Sequence, residues 1–292
     1  MTITRVGIVA KQGLSAAAPH LEALIAWLGT RGLEVIVETG TAELAGLREQ
    51  PALSRDALPS QIDLLVVLGG DGTMLGMAAR IGGTGRAIPI LGVNFGRLGF
   101  LTEVTLDELY PTLEGVLDGT ARVQQRRLLS ATVLRRALAR HSQVVLNDVV
   151  VTRGEISRVI DLEVAVDGEF VTRAKADGII VSTPTGSTAY NLAASGPIVH
   201  PEVDAIVITP IAPHTLANRP IVIPGTSVVE VRTTEAARQG DVFATFDGQT
   251  TFRLDGEDVV RVTRAEASVR IVRSSTRTYF DTLREKLGWG GR

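Results

Sequence analysis

An apolar run, Ile62-Asp63-Leu64-Leu65-Val66-Val67, passes straight into Leu68-Gly69-Gly70-Asp71-Gly72-Thr73. Such a run predicts a buried parallel strand, and Met74 to Ala79 beyond it predicts a helix. A strand joined to a helix by a glycine loop commits this part of the chain to an α/β layer. The glycines open backbone geometry that a side chain would block. They also let a phosphate reach the amides at a helix start, where the dipole favours negative charge. Asp71 does not fit passive phosphate binding. A carboxylate repels phosphate unless it holds a metal, accepts a proton or orients a hydroxyl. The loop therefore points to phosphoryl chemistry, and it matches neither the GxGxxG dinucleotide signature nor the P-loop with its Lys.

The first 120 or so residues continue this alternation. Val6 to Val9 reads as a strand, and Leu21, Leu24, Ile25 and Leu28 repeat at helical spacing. Leu33 to Val37 returns to strand, with Gly32 suited to a helix cap before it. Ile88 to Val93 is a further strand, ending in Asn94-Phe95-Gly96-Arg97-Leu98-Gly99-Phe100, and Leu106 to Leu117 predicts a helix closing near Gly119. This order implies right-handed crossovers and a parallel sheet covered by helices. Ligands of such sheets bind beyond the carboxyl ends of the strands, where both glycine-rich loops fall.

After about residue 122 the pattern changes to short strands and tight turns. Val144 to Thr152, Ile160 to Val166, Phe170 to Arg173, Ile206 to Ile208, Ile221 to Ile223, Val228 to Val231, Val242 to Phe246, Thr251 to Leu254 and Ser268 to Val272 read as strands. Asp167-Gly168, Asp247-Gly248 and Asp255-Gly256 are turn signals. This half reads as mainly antiparallel β. The tail from Thr278 to Trp289 predicts a helix with Phe280, Leu283 and Leu287 on one side. The expected division is an α/β domain over 1–121, a β domain over 122–275, and a helical tail over 276–292 that packs back on the first.

At 292 residues the chain has room for one large domain or two ordinary ones. Its net charge of −2 gives no electrostatic reason to expect nucleic acid or an anionic membrane surface. With no cysteine there is no disulfide, thiolate catalysis or Cys-ligated metal, which suits a reducing compartment. No leader-like segment and no apolar run of roughly 18 residues stands out. The expectation is a cytoplasmic protein with no nucleic acid and no membrane partner.

Asp177-Gly178-Ile179-Ile180-Val181-Ser182-Thr183-Pro184-Thr185-Gly186-Ser187-Thr188-Ala189-Tyr190 is the least ordinary stretch of the second half. A strand enters a turn crowded with hydroxyls, and Ala189 to Ala194 predicts a short helix with Ser187 or Thr188 as its N-cap. The hydroxyls and amides suit sugar hydroxyls, a purine edge or phosphate, and Tyr190 suits stacking on a base. A capped helix after a Pro/Gly turn explains the same residues without a ligand. Asn147-Asp148 interrupts an apolar run, where polar groups are costly unless satisfied. On a regular strand the two would point to opposite faces; a bulge or strand end would re-aim one. Either an Asx turn splits two strands here, or the pair clamps a ribose diol. Lys175 and Arg158 flank these segments. His20, His141, His200 and His214 show no ligand spacing, so no protein metal site is expected.

Taken together, the blocks Leu68–Thr73, Leu146-Asn147-Asp148, Asp177 through Tyr190 and Phe246-Asp247-Gly248-Gln249 resemble the bacterial NAD kinase family in order and spacing. The tail residues Tyr279 to Leu283 and Lys286 to Trp289 fit as well. The long STPTGSTAY block is the specific one, since lipid kinases and phosphofructokinases carry loops like GGDGT. The resemblance implies an α/β domain followed by a β-sandwich. It implies transfer of the terminal phosphoryl group of ATP, or of polyphosphate, to the 2′-hydroxyl of the adenosine ribose of NAD. It implies a divalent cation, usually Mg²⁺, and a homodimer or homotetramer. Asp71 then resembles the catalytic carboxylate and Gly72 its backbone partner. Asn147 and Asp148 resemble the pair on the nicotinamide-side ribose, with Asp148 at a position more often Glu. Asp177, Thr188, Ala189 and Tyr190 resemble the adenosine-binding set, followed by Asn191, Leu192 and Ala193. Arg158, Lys175, Ala212 and Gln249 fall at further dinucleotide contacts. Asn191 and Ala193 stand where the family often has Ser. Two rivals remain at this point: a lipid or sugar kinase with an apolar acceptor cleft, and a nucleotide-binding module without turnover.

Overall fold

The computed structural model describes residues 2–96, 98–154, 160–215, 217–233 and 242–289. The chain forms two compact units, Met1–Gln125 with Val269–Arg292, and Arg126–Ser268. The first unit is therefore made from both ends of the chain.

The first unit opens with β1 (Arg5–Ala10), α1 (Ala18–Gly29), β2 (Glu34–Glu38), α2 (Thr39–Ala45) and β3 (Ala52–Leu53). It continues with β4 (Leu64–Gly69), α3 (Asp71–Gly83), β5 (Pro89–Asn94) and α4 (Leu109–Asp118). The strands lie in the order β3-β2-β1-β4-β5, all parallel. As the uninterrupted apolar runs predict, β4 and β5 are buried at every position. Leu21, Leu24 and Leu28 of α1 pack on Val6, Ile8, Leu64 and Val66. Gly92 admits α3 on the other face, where a Cβ would lie 2.7 Å from the sulfur of Met74. Gly32, at φ +73°, ends the first helix: its N–H reaches the Gly29 carbonyl, and the next N–H reaches Leu28. That double bond is the glycine cap the sequence predicts. Helix α4 begins at Leu109 rather than Leu106. The Glu108 carboxylate reaches back to the N–H and hydroxyl of Thr105 and holds 105–108 as a turn.

The second unit holds most of β6 (Val123–Arg135), then β7 (Leu138–Val145), β8 (Asp148–Arg153), β9 (Ile160–Val166), β10 (Glu169–Ala176) and β11 (Gly178–Ser182). After α5 (Tyr190–Ala193) come β12 (Ala205–Ile211), β13 (Ile221–Pro224), β14 (Val229–Thr233), β15 (Val242–Phe246), β16 (Thr250–Leu254) and β17 (Asp258–Val272). One sheet runs β13-β12-β11-β8-β15-β16, antiparallel throughout. In the other, β10-β9-β14-β17 is joined by β6 on β17 and β7 on β6. Val149, Val151, Ile179 and Val181 of the first share one core with Leu162, Val164, Val229 and Val231 of the second. This is a β-sandwich. The end of β17 pairs parallel with β5 in the first unit's sheet, and α6 (Tyr279–Leu287) completes that unit.

Three expectations need correction. The strand expected over Val144 to Thr152 is two strands with a bend at Leu146-Asn147. The hairpin β6/β7 and most of β17 lie outside the expected strands, because Arg136 and Ala137 take positive φ without the Asn or Gly that advertises such a turn. On α6, Tyr279, Thr282 and Leu283 face inward, and Phe280 is exposed. Its capping box of Thr278 and Asp281 starts the helix at Tyr279, which sets that face. Among the described residues no helix is long and apolar enough to cross a membrane.

Candidate functional site

In the first unit, Gly70 is extended and Asp71 opens α3. The Asp71 carboxylate is held by the segment after β5. Oδ2 accepts the Phe100 N–H at 2.8 Å. Oδ1 accepts the N–H groups of Leu101 and Thr102 at 3.1 and 3.0 Å and the Thr102 hydroxyl at 2.9 Å. A carboxylate offers about four acceptor directions, two per oxygen. Among the described residues three donors meet Oδ1 and one meets Oδ2, which leaves the open direction on Oδ2. Gly99 makes the cradle possible, because a Cβ there would lie 1.9 Å from Oδ1. Gly72 is exposed on the first turn of α3. The result is one carboxylate fixed in one orientation, beside glycines that leave the helix start open.

In the second unit, the bend between β7 and β8 is built by Asp247. This residue takes positive φ at the tip of the β15/β16 hairpin. Its carboxylate accepts the N–H groups of Leu146, Asn147 and Asp148 at 2.8, 2.7 and 3.1 Å, and its own N–H donates to the Asp148 carbonyl. The break re-aims the polar pair, so Asn147 and Asp148 line one cavity of about 370 Å³ together with Ala189, Tyr190 and Asp247. A bend does split the strands, but the Asp247 carboxylate makes it rather than an Asx turn, and the polar pair lines a cavity. Asp148 is 4% exposed, and among the described residues its carboxyl has no hydrogen-bond partner. Burial, then the charge of Asp247, pushes it up to about 7. Burial raises Asp247 to about 6, against the pull of its three amide donors. Asp247 is the residue that reading the chain misses as part of the site. Its Asp-Gly signal is absorbed by the hairpin, which it also serves.

The STPTGST segment docks on the same bend. Thr183 donates its N–H to Asn147 and its hydroxyl to Leu146, and Gly186 donates to Thr183 Oγ1. Gly186 passes so close to Asn147 that a Cβ would lie 2.2 Å from its carbonyl oxygen. Ser182 and Ser187 are fully buried and bonded internally. Most of the hydroxyls therefore hold the turn together instead of facing a ligand. Neither Ser187 nor Thr188 caps α5, because a 3₁₀ turn over Gly186–Thr188 intervenes and Ala189 stands at the cap position. Tyr190 is 45% exposed at the cavity rim. Thr188 and Leu192 are half-buried and Ala193 is exposed. Asn191 is fully buried, bonded to Ser187, Pro197 and Thr209.

Lys175, Asp177 and Ala212 form a separate exposed group at the far end of β11 from Ser182. The Asp177 N–H donates to Ile211, and the Lys175 carbonyl accepts from His214. Gln249 is exposed on the β15/β16 hairpin, two residues beyond Asp247. Arg158 lies outside the described residues.

A carboxylate cradle at a glycine-rich helix start and a buried acidic pocket with an aromatic rim suit phosphoryl transfer to a hydroxyl-bearing nucleotide. Comparison with known proteins narrows that class. Residues 6–121 match the family model described as ATP-NAD kinase N-terminal domain, and residues 146–274 match the ATP-NAD kinase C-terminal domain. The NAD kinase of Geotalea daltonii is 48% identical over 271 residues, 93% of each chain. That of Syntrophotalea carbinolica is 46% identical over 288 residues, 99% of each. Among solved structures, yeast NADH kinase complexed with NADH superposes with a TM-score of 0.91 at 28% identity, covering 100% of this chain and 89% of that one. An NAD kinase from Archaeoglobus fulgidus in complex with ATP gives 0.76 at 26% identity, covering 96% and 99%. The chain belongs to the NAD kinase family, the phosphotransferases that make NADP from NAD with ATP or polyphosphate as donor.

Proposed function

We propose that the cavity of the second unit binds the dinucleotide and that Asp71 takes the proton of its acceptor hydroxyl, the 2′-hydroxyl of the adenosine ribose. The observation that carries the binding half is the Asp148 carboxyl, buried and without a hydrogen-bond partner among the described residues, opening on a cavity rimmed by Tyr190 and Ala189. A vicinal diol supplies the donors and acceptors that this carboxyl and the Asn147 amide lack. Tyr190 offers a face for a base, and the small Ala189 leaves room beside it. Thr188, Asn191, Leu192, Ala193, Lys175, Asp177, Ala212, Gln249, Gly72 and Arg158 are the remaining proposed contacts. Of these, Asn191 acts from within, by holding α5 in place. A lipid-kinase reading fares less well, because the cavity carries a buried acidic pair where an apolar cleft is required.

A ribose hydroxyl is a poor nucleophile at neutral pH. The open acceptor direction on Asp71 Oδ2 suits a hydrogen bond to it, then receipt of the proton as the P–O bond forms. In a loose transition state the proton leaves late, so placement matters more than base strength. Among the described residues no group of three or more His, Cys, Asp or Glu is placed to hold a metal ion. Magnesium keeps several waters and is often carried by donor phosphates with one or two carboxylates. Donor phosphates and water would hold it here, since the one open direction on Asp71 is given to the acceptor hydroxyl. When bound, Mg²⁺ neutralises charge on the transferring group.

A homodimer or homotetramer belongs to the same reading. Phe170, Val171 and Val222 are exposed on β10 and β13, each the last strand of its sheet in the second unit. Unpaired apolar strand edges are normally covered. A cytoplasmic location accords with a chain that has no cysteine to oxidise. The test is a donor and acceptor panel of Mg-ATP and polyphosphate with NAD and NADH. Product is scored by an NADP-specific dehydrogenase and the new phosphate is located by NMR. A phosphate at any other position, or no product with either donor, overturns the reading.

A further inference from the structure

The segment that cradles Asp71 is itself gripped from behind, within the same unit, by the C-terminal end of the chain. Glu103 follows directly on Thr102, the residue that gives Asp71 both its N–H and its hydroxyl. The Glu103 side chain is 1% exposed and pairs with Arg273 through both oxygens: Nε to Oε2 at 2.6 Å and Nη2 to Oε1 at 2.5 Å. The Thr282 hydroxyl of α6 adds a bond to Oε1 at 3.2 Å. Arg273 Nη1 donates to Gln124. One turn beyond Thr282, the Lys286 ammonium lies 5.8 Å from the ring centroid of Phe100, whose N–H holds Asp71 Oδ2. Ser274 and Thr276 meanwhile donate to Glu108. Residues 273–286 thus clasp both the cradle and the turn that follows it.

A buried ion pair is poor evidence of stability, since well-packed apolar residues often do as well or better. What such a pair supplies is a defined position: a fork of two bonds tolerates one geometry. Here the geometry it defines is that of the residue adjoining the cradle. We propose that Glu103, Arg273 and Thr282 are positioning residues for phosphoryl transfer, holding the 99–102 cradle so that Asp71 Oδ2 faces the acceptor hydroxyl. The proposal rests on the assignment of Asp71 as proton acceptor. Thr102 is the link through which the grip reaches the carboxylate. Loss of the grip leaves the cavity of the second unit its own residues, so the effect falls on turnover. A misplacement of about 1 Å can cost roughly a hundredfold in rate, and partial loss of the clasp costs less.

The test is a set of double-mutant cycles on the full chain. Thr102→Val, Thr282→Val and the neutral pair Glu103→Gln with Arg273→Gln are each made alone and together with Asp71→Asn. For each, kcat and KM for NAD are measured beside a thermal melt. Expected is a drop in kcat of about tenfold for the clasp variants, an unchanged KM, and little further loss when Asp71 is already Asn. Equal proportional losses in both backgrounds would assign these residues to general stability and overturn the proposal. A raised KM with unchanged kcat would do the same. If the double Gln variant fails to fold, Thr282→Val decides the matter, since it removes the hydroxyl bonded to Glu103 and keeps the side-chain volume, with Thr102→Val as the reference for losing a direct bond to Asp71. Wild-type turnover in Asp71→Asn alone would show that the underlying assignment has failed, and that result is read before any clasp variant is compared.

Discussion

Four donors converge on Asp71. Asp71→Asn keeps the volume but replaces an acceptor oxygen with an amino group that cannot take a proton and that meets donors in the cradle. Steady-state kinetics should show kcat down by about 10²–10⁴-fold, with KM for NAD within about twofold. Equal losses in affinity and saturated rate would make it a binding residue. Asp148 gives a pH signature. Its carboxyl titrates near 4 when unfolded and at about 7 when folded, raised by burial and then by Asp247. The folded state binds that proton more tightly, so the contribution to stability is full below the unfolded value and is lost as pH rises through the folded one. Asp148→Asn should therefore match wild type near pH 4 and exceed it above pH 7, by about 4 kcal/mol at most. Urea unfolding at both pH values checks this, and a constant difference would place the charge elsewhere. Tyr190 is the third residue to test. Tyr190→Phe should be mild, and Tyr190→Ala should weaken NAD binding by about 1–3 kcal/mol if the ring stacks on adenine. Calorimetric titration beside a melt separates stacking from a merely structural ring.

The elements most legible in the sequence are those whose local chemistry has one solution. Asp167-Gly168 and Asp247-Gly248 both form the positive-φ turns their residues favour. The apolar runs of β4 and β5 are buried at every residue. Arg136-Ala137 makes a turn of the same sign with no such signal, so β6 and β7 leave little trace in the pattern. The candidate site divides the same way. Asp71, Asn147 and Asp148 are recognisable because charge and polarity interrupt apolar patterns. Asp247 is not, because its reach across about a hundred residues to three amides is a tertiary fact that no local pattern carries. The hydroxyls of Ser182, Thr183 and Ser187 suggest more ligand contact than they make for the same reason, since their partners are backbone groups brought in by folding. Gly186→Ala tests the docking of that segment. The new methyl would meet Asn147 backbone, which has little freedom to yield. The expected result is a lower melting temperature together with a raised KM for NAD. Gly29→Ala, at the end of α1, meets nothing within 4 Å at its Cβ and serves as the tolerated control. Equal effects of the two substitutions would remove steric docking as the cause.

For the whole molecule, the proposed homo-oligomer predicts that Phe170→Glu with Val222→Glu lowers the mass measured by light scattering while each chain stays folded. An unchanged mass would move the contact off these edges. The two compositional halves of the chain are plain in the sequence; the return of the last residues to the first unit rests on β17, whose length the strand signal at Ser268 to Val272 understates. That return bears on synthesis. In the finished sheet β5 is covered by the end of β17, Pro89 lying beside Arg270. A ribosome adding about 5–20 residues per second reaches Arg270 roughly ten to forty seconds after Pro89. For that interval the stretch Pro89 to Leu91 of β5 has no strand neighbour on one side, Val93 beyond it being bridged to Val104, and an open edge of that kind is a template for joining another chain. The nascent protein therefore passes through a window of aggregation risk that closes only as translation ends. The same arrangement delays the grip on Asp71 until then, so catalytic competence is among the last properties the growing chain acquires.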